Sequence, residues 1–472
     1  MTKSRLLASA GLLVFALGIC ELAIAQEERT PDEAPAPTQQ IAPTYQAPQP
    51  AIFVPQGTVI TPASSVARPE DAGLSAHTNY HVFVPSGSPM SSPSPNFTFA
   101  ETPASLGCVY RVGPIYAGCN PATGGTNHPS GGWGAIALVD AFDNPNAGAD
   151  LATFSAHFGL PAANFTKVYA NSSFGTLNGL TASCSGVPPA DVGWGLEEDL
   201  DIQWAHAMAP AAKIILVEAC SNSYNDLLYA EQVAGIKVSA AGGGQISNSW
   251  GSGEFASEVG STDNNFYRYY WSKITYFASA GDSGWGAAYP SSSPWVVSAG
   301  GTTVNRDASG NFLSESCWAG SGGGVSLYEK WQSPPSILNG MGPWSDYQYP
   351  FAGQTARQTP DMSFDSDPAS GVYVYDSFGY GGWVIVGGTS VASPALAGIV
   401  NAANNRLGQA PPAGGYYSTQ ENDLIYAQLF ANMAYPNNFY DVKTGSNGVG
   451  HNAVAGYDQC TGIGSPRGKG TK

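Results

Sequence analysis

The chain has 472 residues, a formal net charge of −17 at pH 7 and only 11% charged side chains, while glycine (58) and proline (35) are abundant. This length is enough for one large domain with appendages. The negative charge argues against nucleic acid or an anionic membrane as the main partner. Few ion pairs are lost when carboxylates are protonated, so the composition is compatible with a low working pH.

The first 25 residues have the pattern of a secretory signal peptide. Lys3 and Arg5 precede an apolar run over 6–19, and residues 23–25 form an A-x-A cleavage site. The apolar run is too short to span a bilayer. We therefore predict a secreted or periplasmic protein without a membrane span.

Residues 26–107 differ in composition from the rest of the chain. Seven prolines lie between Pro31 and Pro55, and a Ser/Pro run follows from Pro85 to Pro95. Such composition cannot bury a core. We predict a disordered Pro/Ser-rich linker or a short pro-segment, followed by one domain over 108–472.

Six cysteines remain after the predicted signal peptide, and an even number in an exported chain indicates disulfides. The spacing favours the pairs Cys108–Cys119 and Cys184–Cys220, which leaves Cys317 and Cys460 for the third. No C-x-x-C is present, which argues against redox or zinc chemistry.

From about residue 108, short apolar runs alternate with helical patterns. Strands are predicted at 134–142, 212–219, 244–251, 274–284 and 294–302, and helices at 149–158 and 224–234. This alternation predicts an α/β fold with a mostly parallel sheet. Functional residues gather at the turns after the strands of such sheets. Asn248 and Asp282 lie on turns of this kind.

The segment GWGLEEDLDIQWAHAMAP (193–210) predicts a helix with four carboxylates in five positions. At 3.6 residues per turn, Glu197 and Asp201 share the apolar face, whereas Asp199 lies opposite and Glu198 lies at the boundary. We expect the second pair to face water. Two carboxyls one turn apart in a dry site share a proton and split their pKa values. The alternative is a helix start that collects acids to complement its dipole.

The segment VGGTSVASPALAGIV (386–400) places Ser390 after a Gly-Gly-Thr turn, at the start of a helix of small residues. A hydroxyl beside the positive end of a helix is well placed to act as a nucleophile. The alternative is an ordinary N-cap serine.

Together these motifs resemble the sedolisin family of serine-carboxyl peptidases, within the subtilisin superfamily. GGTSVASPALAG resembles the nucleophile motif, EEDLD (197–201) the E-x-x-L-D helix, and SAGDSG (279–284) the S-G-D-S-G turn. ISNSWG, YPSSSPWVVSAGGT, GSGGGVS and PDMSFDSDPASG are also similar to sedolisin segments, in the same order. The resemblance spans roughly 108–466, and it implies a subtilisin-like sheet flanked by helices.

The resemblance implies a role for each polar residue of the motifs. Ser390 attacks the scissile carbonyl, Glu197 accepts its proton, Asp201 shares a proton with Glu197, and a protonated Asp282 donates a hydrogen bond to the oxyanion. A carboxylate remains available as a base in acid, where a histidine is already protonated. The expected substrates are proteins or peptides. By analogy with the equivalent family strand, Ser249, Trp250 and Gly251 line the substrate cleft, with core packing as the alternative for Trp250.

The segment 439–466 resembles the sedolisin calcium loop. The resemblance implies one structural Ca²⁺, whose ligands are Asp441, Val442, Val454, Gly456 and Asp458. Carboxylates and backbone carbonyls suit a hard cation of this kind. Val454 stands where the family usually has glycine, and a carbonyl ligand survives that change.

Three other functions are considered. A subtilisin-like enzyme would use Asp140, which follows the first strand, but the sequence offers no histidine base. A pepsin-like enzyme would need a second D-S-G loop beside that of Asp282. A catalytically silent binding or cell-surface protein with this fold is supported only by the lack of a long folded propeptide. We expect a monomeric acid endopeptidase.

Overall fold

The computed structural model describes residues 51–87, 100–263, 273–330, 356–403, 422, 425–426 and 435–470. Its helices are α1 (Pro103–Val109), α2 (Ala147–Phe158), α3 (Val192–Met208), α4 (Tyr224–Ala240), α5 (Thr389–Ala403) and α6 (Tyr435–Asn438). The first eleven strands are β1 (Gly57–Ile60), β2 (His77–Thr78), β3 (His81–Pro85), β4 (Ala135–Ala141), β5 (Asn164–Ala170), β6 (Lys213–Ala219), β7 (Gly244–Asn248), β8 (Trp250–Gly253), β9 (Ile274–Ser279), β10 (Ala288–Tyr289) and β11 (Val296–Arg306). The remaining strands are β12 (Phe312–Cys317), β13 (Gly324–Lys330), β14 (Ala356–Thr359), β15 (Met362–Asp365), β16 (Val372–Asp376), β17 (Gly382–Gly387), β18 (Phe439–Tyr440), β19 (Ser446–Gly448), β20 (His451–Asn452) and β21 (Ser465–Pro466).

The central sheet has the order β12-β11-β9-β7-β4-β6-β5, and β15 also pairs with β11. Every pair in it is parallel except β11 with β12. The predicted α/β architecture with a mostly parallel sheet is therefore confirmed. The carboxyl ends of β7, β9 and β11 lie side by side, so the turns that follow β7 and β9 are neighbours.

Strand β4 shows why its apolar run is continuous. Ile136 and Leu138 pack into the core on one face of the sheet, while Ala137 and Val139 pack into the core on the other. Helices α3 and α5 contribute Leu200 and many other residues to the first core, and α4 contributes to the second. Full burial of one large apolar side chain in this way contributes roughly 1.5–3 kcal/mol to the free energy of unfolding.

A second sheet, in the order β1-β3-β17-β16, is antiparallel throughout. Strands β1 and β3 belong to the segment 26–107, for which disorder was predicted, as do β2 and α1. That prediction is wrong for residues 51–87 and 100–107, while residues 26–50 and 88–99 lie outside the described part of the chain, as does the predicted signal peptide. The Pro-rich segment has no core of its own. The burial of Val82 and Phe83 against the rest of the protein offsets the conformational entropy that is lost when the segment becomes ordered.

The same sheet covers the face of α3 that was expected to face water. Gln203 donates to the backbone carbonyl of Tyr375 (2.7 Å) and accepts from its N–H (2.9 Å). Asp199 accepts a hydrogen bond from Asn144 (2.8 Å), and both Glu198 and Asp199 are fully buried. The prediction that these two acids face solvent is therefore wrong, because β16 and α2 pack on that side of the helix.

Three disulfides join Cys108 to Cys119, Cys184 to Cys220 and Cys317 to Cys460, as predicted. Within the residues described, no helix combines the length and apolarity required to cross a membrane.

One buried ion pair connects the start of α1 to the end of β11. Arg306 donates from Nε to Glu101 Oε1 (2.5 Å) and from Nη2 to Oε2 (2.6 Å), and both side chains are buried. Ser105 adds a hydrogen bond to Oε2 (2.6 Å). The geometry is bidentate, the arrangement that Arg and a carboxylate form most strongly.

Removing one partner would leave the other charge buried without compensation. We expect Glu101→Gln to lower the free energy of unfolding by about 3–5 kcal/mol, measured by denaturant titration at pH 7 in a Ser390→Ala background. Glu70→Gln, at an exposed site, is the matched control and should have little effect. Equal stability of the two variants would contradict a structural role for the pair.

Candidate active site

Helix α3 positions the predicted acid pair. It begins after Asp191, whose carboxylate caps the N–H groups of Gly193 and Trp194 (2.9 Å each). Glu197 and Asp201 follow one turn apart, and neither side chain is exposed to solvent. Their face of the helix packs against α5, which carries Ser390.

Ser390 lies in the first turn of α5, directly after strand β17. The preceding Gly388 has φ +128°, and a Cβ there would collide with the carbonyl oxygen of Asn79 and the carboxyl of Asp282. A glycine is therefore needed for the turn that presents the serine. Ser390 Oγ lies 2.9 Å from Glu197 Oε2 and 3.1 Å from the carbonyl oxygen of Ser249.

Burial and neighbouring carboxyl groups raise the pKa values of Glu197 and Asp201. Burial raises the pKa of Glu197 well above its usual value, and Asp201 and Asp140 raise it further. Burial and then Asp140 raise the pKa of Asp201 in the same way. Ser249 donates to Asp201 Oδ1 (2.7 Å). Two such groups retain at least one proton between them well above the usual carboxyl range.

Asp282 lies on the turn after β9, beside the start of α5. Its Oδ1 accepts from the N–H and from the hydroxyl of Thr389 (2.8 Å each). Burial raises the pKa of Asp282 to about 8. Below that pH the carboxyl is protonated. In the described structure its Oδ2 makes no hydrogen bond, and His81 Nε2 lies 3.6 Å from it.

The three residues predicted to line a cleft lie at and just before the start of strand β8. This strand pairs antiparallel with β2, so that Trp250 is opposite Thr78 and Gly251 is opposite His77. The Trp250 indole points into the core, where it donates to the carbonyl of Val139 (2.8 Å). Its side chain therefore packs as in the alternative, and the role of the three residues in substrate binding stays a prediction.

The chain itself fills the cleft in front of Ser390. The N–H of Asn79 donates to Ser390 Oγ (3.2 Å), and the carbonyl of Asn79 accepts from the N–H of Ser390 (3.0 Å). Residues 77–81 therefore cover the site, and Ser390 has no exposed surface. Sequence patterns did not identify Asn79, because it has no motif and is 311 positions from Ser390.

Asp140 is close enough to the pair to affect its titration, but a histidine base is missing from its surroundings. In the described part of the chain, the partners of Ser390 Oγ are Glu197, Ser249 and Asn79. A subtilisin-like mechanism that uses Asp140 and histidine thus has no geometric support in the residues described.

The five predicted metal ligands lie on one C-terminal loop. Asp441 Oδ1 accepts from the N–H of Gly456 (2.9 Å), and Asp458 Oδ2 accepts from the N–H of Val454 (3.0 Å). Lys443 Nζ lies 3.0 Å from Asp441 Oδ2, so a cationic group already approaches this carboxylate. Two carboxylates and backbone carbonyls on one tight loop form a donor set that fits Ca²⁺.

A second group of carboxylates lies under the outer face of α3. Asp150, Asp199 and Asp376 each offer an oxygen, and these three atoms lie within 4.8 Å of one another. Burial raises the pKa of all three groups. Three buried carboxyls at this spacing could hold a metal ion or share protons.

The raised pKa of Asp282 predicts a pH dependence of stability. Between pH 5 and 7 the folded carboxyl is protonated and the unfolded one is ionised, so the folded state binds more protons and stability falls as pH rises. The contribution of Asp282 is about 1.4 kcal/mol per pH unit. We expect Asp282→Asn to reduce this slope by about that amount, measured by denaturant unfolding in a Ser390→Ala background. An unchanged slope would contradict the assignment.

Comparisons with known proteins agree with this geometry. The chain is 29% identical to kumamolisin from Bacillus sp. (strain MN-32) over 351 residues, which cover 67% of the chain and 56% of kumamolisin. It is 32% identical to sedolisin from Pseudomonas sp. (strain 101) over 200 residues, which cover 39% of the chain and 29% of sedolisin. The chain thus spans little more than half of the first relative and less than a third of the second.

The fold is similar to that of Pseudomonas sedolisin, a serine-carboxyl proteinase whose structure was solved in complex with two molecules of pseudo-iodotyrostatin. The TM-score is 0.58 at 23% identity, and the match covers 79% of the chain and 96% of that structure. No protein-family model matches the chain. The chain is therefore similar in sequence to peptidases of the sedolisin family, and it has the fold of Pseudomonas sedolisin.

Proposed function

We propose that the chain is an acid-acting serine-carboxyl endopeptidase, exported by its first 25 residues, which hydrolyses peptide bonds through an acyl-enzyme on Ser390. The supporting observation is the contact of 2.9 Å between Ser390 Oγ and Glu197 Oε2 in a buried site. This is the distance at which a general base accepts a proton from a nucleophile.

In the first step, Ser390 Oγ forms a bond to the carbonyl carbon of the substrate while its proton passes to Glu197. Asp201 is a positioning residue, because it lies one helical turn from Glu197 and raises the pKa of that group. When the tetrahedral intermediate collapses, the C–N bond breaks and Glu197 returns the proton to the leaving amine. A water then attacks the acyl carbon, with the same pair as base, and the serine is regenerated.

The oxyanion would be stabilised by two donors, the N–H of Ser390 and the protonated carboxyl of Asp282. A neutral acid can donate to a developing negative charge, whereas its carboxylate would repel that charge. Activity should therefore be lost as pH rises towards the pKa of Asp282. At the acid end, activity requires that the pair of Glu197 and Asp201 carry one negative charge.

The C-terminal loop would hold one structural Ca²⁺ through Asp441, Asp458 and the carbonyls of Val442, Val454 and Gly456. A bound cation neutralises the two carboxylates and fixes the loop. Cys460, two residues after Asp458, is disulfide-bonded to Cys317, so this loop is also tied to the end of β12.

The activity can be tested on denatured protein at pH 3–5, after incubation of the full chain in acid. We expect hydrolysis by the wild type, none by Ser390→Ala, and a loss of about 10²–10⁴-fold in Glu197→Gln. Glu198→Gln is the matched control, because Glu198 accepts from the N–H of Asn144 and does not contact Ser390. Activity that survives in Ser390→Ala would contradict the nucleophile assignment.

Calcium can be tested by thermal unfolding of Ser390→Ala. Chelator should lower the unfolding temperature, because the ion binds only the folded loop, and added Ca²⁺ should restore it. Asp441→Asn should have a lower unfolding temperature and lose its response to chelator. A chelator-insensitive parent chain would contradict the proposed site.

A further inference from the structure

The segment in front of Ser390 makes the contacts expected of a bound substrate. We propose that the bond between Asn79 and Tyr80 is the chain's own cleavage site, and that the site prefers peptides with asparagine immediately before the cut bond. This inference rests on the proposed peptidase function and names its first substrate.

The position of Asn79 defines the bond. Its carbonyl oxygen accepts from the N–H of Ser390 (3.0 Å), one of the two donors proposed for the oxyanion. The same oxygen and the carboxyl of Asp282 both border the space where Gly388 would carry a Cβ. The carbonyl of residue 79, and not that of a neighbour, is therefore the group presented to the serine.

The segment is held as an extended strand on both sides of this bond. Before it, His77 and Thr78 pair antiparallel with β8. After it, β3 pairs antiparallel with β17, which leads directly into the turn before Ser390. Backbone pairing of this kind fixes register independently of sequence, while pockets for side chains provide selectivity.

One pocket binds the amide nitrogen of Asn79, while its Oδ1 makes no hydrogen bond in the described structure. The Nδ2 of Asn79 donates to Ser279 Oγ (2.7 Å), and a Cβ added to Gly251 would lie 3.8 Å from that Nδ2. Ser279 is fully buried and ends strand β9. A small polar side chain fills the space between Ser279 and Gly251, whereas an apolar one would leave the hydroxyl without this partner.

Tyr80 provides a second contact on the other side of the bond. Its hydroxyl donates to the carbonyl of Gly193, in the first turn of α3 (2.7 Å). The ring is fully buried, so the residue after the cut is also held in place. An aromatic residue with a hydroxyl is therefore favoured at this position.

The self-cleavage follows the chemistry of the proposed function. Ser390 Oγ bonds to the carbonyl carbon of Asn79, the bond to the Tyr80 nitrogen breaks, and Glu197 passes the serine proton to that nitrogen. One water then releases a carboxylate at Asn79. None of the three described disulfides involves a residue before Cys108, so the described contacts of the fragment that ends at Asn79 are non-covalent, among them the pairing of β1 with β3 and of β2 with β8.

The test follows the full chain after transfer from pH 7 to pH 4, by intact mass spectrometry and N-terminal sequencing. We expect a new N-terminus at Tyr80, at a rate that does not change over a twentyfold dilution, and no cut in Ser390→Ala. Hydrolysis of denatured protein by a chain that stays uncut at Asn79–Tyr80, or is first cut elsewhere, would overturn the inference and leave the peptidase function intact. Absence of both reactions would contradict the peptidase function as well.

Selectivity has a separate readout that does not depend on processing. Paired peptides with Asn or Leu before the cut bond, and Tyr after it, should differ by about tenfold in kcat/KM, as expected for one buried hydrogen bond. Ser279→Ala should remove this preference, so that the ratio of kcat/KM for the Asn peptide to that for the Leu peptide falls to about one. Equal rates for the two peptides in the wild type would overturn the pocket assignment.

Discussion

The contact between Ser390 Oγ and Glu197 Oε2 is the interaction on which the rest of the site depends. It joins the start of α5 to the second turn of α3 at 2.9 Å, in a place without solvent. A serine hydroxyl is a weak nucleophile until a base takes its proton. In the proposed mechanism, Asp201 and Asp140 act on this proton through the charge of the pair, and Asp282 stabilises the oxyanion.

Buried carboxyl groups surround Ser390, and burial raises the pKa of several of them. Glu197, Glu198 and Asp201 have raised pKa values, with burial as the largest cause in each case. These buried carboxyls destabilise the folded state little in acid, where they are protonated. The free energy of unfolding falls as pH rises, because ionised groups would be buried without partners. The same arrangement favours the folded state at low pH.

Local patterns were sufficient for the central sheet and the main site residues, but not for the surroundings of α3. The apolar run in β4 and the stripe that carries Glu197 and Asp201 depend on neighbours in sequence. The burial of Asp199 depends on β16, more than 170 positions later. The strand over Ser390 depends on pairing with β17, about 300 positions away, and it is only five residues long. Trp250 was predicted to line a substrate cleft. Its backbone pairs with β2 beside Ser390, whereas its side chain lies in the core.

The proton transfer itself is tested most directly by trapping the acyl-enzyme. A peptide ester incubated briefly at pH 4 with acid-treated chain, then quenched and mapped by mass spectrometry, should place the acyl group on Ser390. Glu197→Gln should form the same adduct about 10²–10⁴-fold more slowly while its fold is unchanged. An acyl group on another residue, or an equal rate in Glu197→Gln, would contradict the role of this carboxylate as the base.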